Sequence, residues 1–288
     1  MRARRPAGGT LSHVAMRAGR GTLAVSMAGQ GRLVVFLHGA VCDRRMWWAQ
    51  LGSLSGRYQV VAYDRRGYGE SSPAGPAHPH VKDLDAILEA LDADSAILVA
   101  SGDACRIAID HAGAHPGRVD GLVLVSPVTG GLPPETSPQG ALQRLVDEME
   151  LARRAGDMAW LTRLMTRAML DGPAQTEGRV GGNTRVLFQD MVAMALRRSS
   201  GLPDMAAPDR FRRLPRLSHP AAFVCGGFDF PHAIARARDM AALGGRLSHF
   251  SLMKGVAQMP GLEAPARFNA LLKRLIRSMQ DKPPEGQM

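Results

Sequence analysis

Residues 96–119 read AILVASGDACRIAIDHAGAHPGRV and carry a strand, a sharp turn and a helix in close succession. Ile97, Leu98 and Val99 make a short apolar run suited to a strand buried on both faces, as in a central parallel sheet. Ala104, Ile107, Ala108 and Ala112 then recur at helical spacing, and His115-Pro116-Gly117-Arg118-Val119 closes that helix. The turn itself is Ser101-Gly102-Asp103.

Working outward, the same pattern repeats. Residues 33–37 (LVVFL), 60–63 (VVAY), 121–125 (GLVLV) and 221–225 (AAFVC) are apolar runs of strand length, residues 247–253 make a last strand, and residues 22–27 alternate weakly as an early one. Leu84, Ile87, Leu88 and Leu91 place a helix over residues 81–91, and Phe268, Leu271, Leu272, Leu275, Ile276 and Met279 mark a final helix that docks on the sheet. Strands alternating with helices predict an α/β fold with a doubly wound, mostly parallel sheet, and function at the carboxyl ends of its strands.

From 130 to 220 the strand signal disappears. Leu142, Leu145, Val146 and Met149 make one helical stripe; Leu161, Leu164, Met165, Ala168 and Met169 a second; Phe188, Met191, Val192, Ala195 and Leu196 a third. Ser137-Pro138, Asp157 and Asn183 read as helix starts, and Gly156, Asp171-Gly172-Pro173 and Ser200-Gly201 as stops. The chain therefore divides into a core at 11–129 and 221–280, a helical cap at 130–220, a basic tail at 1–10 and a second tail at 281–288. Methionine-rich cap helices suit an adaptable apolar pocket as well as core filling.

The 96–119 turn resembles the nucleophile elbow of the α/β-hydrolase family, where a small residue, any residue, Ser, any residue and a small residue make the turn. The spacing back from His115-Pro116 usual in that family puts the nucleophile slot at Gly102, which has no hydroxyl. His38-Gly39-Ala40-Val41, followed by Met46-Trp47, resembles the family's His-Gly loop. That resemblance implies an oxyanion hole made by the N–H groups of Ala40 and Asp103, with His38, Gly39, Val41 and Trp47 around the pocket. Asp64-Arg65-Arg66-Gly67-Tyr68-Gly69 resembles a conformationally demanding family loop and is expected to hold the scaffold.

Gly226-Gly227-Phe228-Asp229 resembles the loop carrying the acid of a catalytic triad, with His232 three residues on. The segment 254–263 (KGVAQMPGLE) resembles the loop of the catalytic histidine, and its histidine slot holds Gln258. An amide exchanges hydrogen bonds but takes up no proton near neutral pH. The resemblance thus implies a capped, esterase- or haloperoxidase-like relative with a degenerate triad.

Ordinary Ser-His-Asp hydrolysis is not expected of such a site. The leading expectation is a non-hydrolytic step, of the cyclisation, elimination, lyase or isomerase type, on a small apolar carbonyl-containing metabolite held under the cap. Asp103, Asp229 or His232 would move a proton, and Ser101 and Gln258 would hydrogen-bond a carbonyl. One alternative is an esterase- or epoxide-hydrolase-like enzyme with a displaced nucleophile, Ser101 or Asp103. Another is a non-catalytic ligand-binding or scaffold protein.

Composition narrows the classes further. With 288 residues, 45% of them hydrophobic, the chain can bury a large core as one domain with an insertion. Its formal charge of +10 comes almost wholly from scattered arginines, which argues against a nucleic-acid partner. Cys42, Cys105 and Cys225 fit neither a disulfide framework nor a zinc spacing, so free thiols in a reducing, cytoplasmic setting are expected. Met1-Arg2-Ala3-Arg4-Arg5-Pro6 is followed by no apolar signal core, and no stretch reaches membrane-spanning length. No cofactor motif is visible, and His78 and His80 read as an exposed loop without neighbouring carboxylates, so neither cofactor nor metal is expected.

Overall fold

A computed structural model describes residues 10–75, 78–128, 140–198, 217–244 and 248–280. Eight strands form one sheet in the order β1-β2-β4-β3-β5-β6-β7-β8. They are β1 (Ser12–Ala18), β2 (Gly21–Ala28), β3 (Leu33–Leu37), β4 (Gln59–Tyr63), β5 (Ala96–Ser101), β6 (Val119–Val125), β7 (Ala221–Gly226) and β8 (Ser248–Met253). β1 and β2 pair antiparallel, as do β2 and β4, and the remaining neighbours are parallel.

The apolar runs behave as their period requires. β3, β4, β5 and β7 are buried along their whole length. Their alternate residues feed two separate cores, because successive side chains leave a strand on opposite faces. Val34 and Phe36 pack with Trp47, α1 (Trp48–Leu54) and α9 (Pro265–Gln280). Leu33, Val35 and Leu37 pack against α2 (His80–Ala90), α3 (Ala104–Ala114) and α7 (Pro231–Leu243).

Between β6 and β7 the chain makes α4 (Ala141–Ala155), α5 (Met158–Thr166) and α6 (Gly182–Arg198). Leu145, Leu161, Phe188 and Met191 belong to the same apolar cluster as Trp47 and Met259, so the cap is packed onto the core. Gly156 ends α4 in the left-handed conformation, and the Asp157 carboxylate caps α5 by accepting from Trp160 N–H at 2.8 Å. The second stripe is not one α-helix: α5 runs into a π-turn at Arg167–Asp171 before Gly172. α6 starts at Gly182, one residue ahead of Asn183.

Four elements go beyond the sequence reading. β1 is an edge strand whose exposed and covered residues alternate, α1 follows Trp47, α7 follows the Asp229 loop, and the short α8 (Pro260–Glu263) follows Met259. The cap's starting point at 130, the Ser137-Pro138 start, the Ser200-Gly201 stop and the tail at 281–288 lie outside the described residues, as does all of the amino-terminal tail before Thr10. Asp64 holds its loop as a scaffold residue would, accepting from the N–H groups of Arg44 at 2.7 Å and Glu70 at 2.8 Å. All three cysteines are buried and free. Among the described residues no helix is long and apolar enough to cross a membrane.

Candidate functional site

β5 ends at Ser101 and α3 starts at Ala104, leaving Gly102 to turn the chain with φ at +59°. Its N–H is fixed on Val125 O at 2.9 Å. This left-handed backbone is one that residues with a Cβ adopt only under strain. A Cβ built on Gly102 would meet nothing closer than Gly39 Cα, at 3.7 Å. The turn is therefore shaped to present a side chain into open space, and the glycine presents none. Ser101 is buried in the strand, one residue short of that half-buried apex.

Across from the turn, His38 is fully buried and bonded at both ring nitrogens, Nδ1 donating to Gly39 O at 2.8 Å and Nε2 accepting from Arg65 N–H at 2.9 Å. Burial, reinforced by the Arg65 charge, pushes its pKa down to about 3, so the ring is neutral and structural. It sets the path of Gly39-Ala40. The main-chain N–H groups of Ala40 and Asp103 donate to no acceptor among the described residues. Val41 and Trp47 differ from the expected pocket lining: both are core residues, with the Trp47 ring 5.2 Å from Phe36 and 6.3 Å from Phe268.

Asp103 does not stand free beside the slot. Both of its carboxylate oxygens face the Arg65 guanidinium, at 3.0 and 3.4 Å, and both side chains are buried. Arg65 also lies over the Tyr68 ring, 4.5 Å from its centre. The loop expected to serve only as scaffold thus fixes the elbow as well.

On the other side of the site, β6 lies between β5 and β7, with Val125 level with Ser101 and with Val224. Asp229 follows β7, buried, with Oδ1 accepting from Phe230 N–H at 2.8 Å and Oδ2 without a hydrogen-bond partner. Burial holds its carboxyl up at about 6, against the downward pull of the Ser126 hydroxyl and the Phe230 N–H. The buried Ser126 hydroxyl lies close enough to pull on that carboxyl although no hydrogen bond of good geometry joins them, and Ser126 carries the unusual φ of +45° for a residue with a side chain. Gln258 is buried with Oε1 unpaired, and its N–H donates to Met169 O of the cap's π-turn at 3.2 Å. A Cβ on Gly226 would sit 1.9 Å from Ala257 O, so β7 and the Gln258 loop touch backbone to backbone.

Glu263 organises that loop, accepting from the N–H groups of Ala257 at 2.8 Å and Met259 at 3.0 Å. Arg179, from the cap, ion-pairs with Glu263 and donates to Asp171 O at 2.6 Å and Leu170 O at 2.7 Å. Arg179 and Ser126 carry no local motif, and the sequence reading assigned them nothing. His232 lies in α7, half-buried, with its ring 5.4 Å from Phe230, and no hydrogen bond joins it to Asp229. The structure thus brings Gly102, Gly39, Ala40, Asp103, Asp229 and Gln258 to one end of the sheet and leaves His232 at its margin.

The alpha/beta hydrolase family matches residues 34–271, from within β3 into the first half of α9. This chain belongs to the alpha/beta hydrolase family. Among its relatives within the family, a non-heme chloroperoxidase of Streptomyces lividans is 37% identical over 135 residues, 43% of this chain and 48% of that protein. Epoxide hydrolase B of Mycobacterium tuberculosis (strain ATCC 25618 / H37Rv) is 36% identical over 134 residues, 43% of this chain and 37% of that protein. These matches span about half or less of the relatives' length. Among solved structures, a thermophilic esterase from Thermogutta terrifontis superposes with a TM-score of 0.75 at 23% identity, covering 93% of this chain and 99% of that one. A bromoperoxidase from Bacillus anthracis gives 0.73 at 19% identity, covering 92% and 100%. At such identities the two structures show the fold of this alpha/beta hydrolase and no more.

Proposed function

We propose that this alpha/beta hydrolase is an enzyme acting on a small, mainly apolar molecule with a carbonyl group, and that it forms no acyl-serine intermediate at the elbow. The observation that carries the reading is a matched set of unpaired groups: free N–H donors at Ala40 and Asp103, and bare acceptors at Asp229 Oδ2 and Gln258 Oε1. The donors suit a carbonyl oxygen that gains negative charge in the transition state. The acceptors suit the hydrogens of an O–H group that attacks it. With a carboxyl near 6, Asp229 is mostly ionised at neutral pH, able to take that proton and return it to a leaving group.

Hydrolysis by direct attack of water fits this arrangement, and the relative named epoxide hydrolase B favours hydrolysis as the overall reaction. A displaced nucleophile fits less well, because Arg65 engages both Asp103 oxygens and Ser101 lies within β5. The second reading keeps the same groups and replaces water with an O–H of the substrate itself, giving cyclisation, elimination or isomerisation without hydrolysis. Gly102 and Gln258 favour it, since together they remove both halves of the serine machinery.

The deciding experiment is turnover of a panel of esters, enol lactones and hydroxy-ketones in 18O-labelled water, run beside a serine-reactive fluorophosphonate probe. Direct hydrolysis predicts one labelled oxygen in the product, no adduct, and loss of turnover in Asp229→Asn but not in Ser101→Ala. Product without label selects the second reading. An adduct on Ser101 would overturn both, and saturable binding without any product would assign the pocket to a binding protein.

A further inference from the structure

The strongest feature outside the elbow lies at the start of α2, where residues that read as an unremarkable loop meet a buried carboxylate. His78, His80 and Asp83 each present one ligand-type atom, and these atoms all lie within 4.8 Å of one another. Asp83 Oδ2 is 2.8 Å from His78 Nε2 and 3.9 Å from His80 Nδ1. The neighbouring carboxylate that the sequence reading found missing is supplied by the helix: His80 and Asp83 are one turn apart on α2 and share a face.

We propose that His78 Nε2, His80 Nδ1 and Asp83 Oδ2 form a binding site for a divalent transition-metal ion of the zinc class. Two imidazoles and a carboxylate are a borderline donor set, which selects zinc-like ions over magnesium or calcium. Tetrahedral coordination at ordinary zinc bond lengths places ligand atoms about 3.4 Å apart, between the two separations seen here, so small ring rotations complete the geometry.

Three further observations point the same way. His80 Nδ1 is buried and has no hydrogen-bond partner, a deficit that a metal bond removes. Asp83 Oδ1 accepts from Arg66 Nε at 2.8 Å, and Arg66 is itself anchored on Ala18 O, so the ligating carboxylate is oriented from behind. An open cleft of about 610 Å³, lined by His78, Lys82 and Asp83, gives the ion a path and leaves room for water at a fourth position. The ion would staple the segment after the Arg65-Arg66 loop to the first turn of α2.

The test uses the full-length chain stripped with chelator and titrated calorimetrically with Zn2+. One equivalent is expected to bind, with affinity at least tenfold weaker in His78→Ala and in His80→Ala. His115→Ala should leave binding unchanged, because His115 belongs to a separate group around Asp85 with His111 and Arg118. No zinc binding by the wild-type chain, wild-type affinity in both His78→Ala and His80→Ala, or an equal loss in His115→Ala would overturn the proposal. If either variant fails to fold by circular dichroism, the Co2+ form of the wild-type chain decides. Intense visible bands of a four-coordinate ion are expected, and the weak spectrum of hydrated Co2+ would refute the site.

Discussion

The elbow end of the site and the acid end are each built around an arginine–carboxylate pair, the buried Arg65–Asp103 in one and the part-buried Arg179–Glu263 in the other. They leave opposite chemistry exposed. At the elbow, His38 and Arg65 take up the acceptors of their loop, and what remains are the N–H donors of Ala40 and Asp103. At the acid end, Glu263 consumes the N–H groups of Ala257 and Met259, and what remains are the acceptors Asp229 Oδ2 and Gln258 Oε1. A buried unpaired polar group costs roughly 1–3 kcal/mol, so Asp229 Oδ2 and Gln258 Oε1 are expensive to keep unless something binds to them. The contrast teaches that the donors at one end belong to the backbone and survive changes of side chain, whereas the acceptors at the other belong to side chains that a substitution can remove.

The sharpest way to break the contrast is to restore what it lacks. Gly102→Ser combined with Gln258→His is expected to turn a chain that a fluorophosphonate leaves unlabelled into one labelled at the introduced serine, as read by peptide mass spectrometry. Neither single variant should label. A double variant that folds and stays unlabelled would show that the amides do not form an oxyanion hole.

The two arginines test whether the ends are equally anchored. Arg65→Ala leaves the Asp103 carboxylate buried and unpaired, and should destabilise the chain by about 3–5 kcal/mol in denaturant unfolding. Arg179→Ala should cost somewhat less, about 3 kcal/mol, because its side chain is 22% exposed and Glu263 keeps its backbone donors. It should also loosen the cap, seen as faster proteolysis between α5 and α6. Equal losses, or a cap no easier to cut, would remove the distinction.

Asp229 yields a pH signature. Its carboxyl titrates at about 6 in the fold and near 3.8 when unfolded, so its contribution favours folding fully below about 3.8 and is lost as pH rises through 6. Asp229→Asn is therefore expected to raise stability by about 2 kcal/mol at pH 8 and to change little at pH 4. A variant less stable at pH 8 would mean that the ionised carboxylate is satisfied after all. His38 acts in the opposite sense: its depressed pKa withdraws stability as pH falls from 6.5 towards 3. The smallest effect expected is at Asp157→Ala, which removes the cap of α5 and should cost about 1 kcal/mol without altering either end of the site.

Most of the fold was legible because period and burial agree. Runs such as 33–37 and 96–100 are apolar throughout, and the face of α9 repeats at helical spacing. β1 was hidden because an edge strand half-open to water needs no strong apolar alternation, and its sequence SHVAMRA has little. α7 was hidden because PHAIARARDMAAL buries only alanines and one methionine, which leaves a weak stripe. The motif positions around Gly102, Asp229 and Gln258 were legible because each turn is encoded by residues next to one another. The direction of the Trp47 ring was not legible, because a motif fixes a residue's position in the loop while contact with Phe36 and Phe268 sets the ring.

By itself the sequence determined which groups stand at the 101–103 turn and in the 254–263 loop, a glycine and a glutamine, because identity at a local turn needs no folding to be read. Only the tertiary structure decided which groups remain unpaired. Arg65 finds Asp103 across 38 positions and Arg179 finds Glu263 across 84, and Asp83 brings together two histidines that the chain alone leaves without a carboxylate. Pairing depends on approach in space under burial, and no local pattern carries that information.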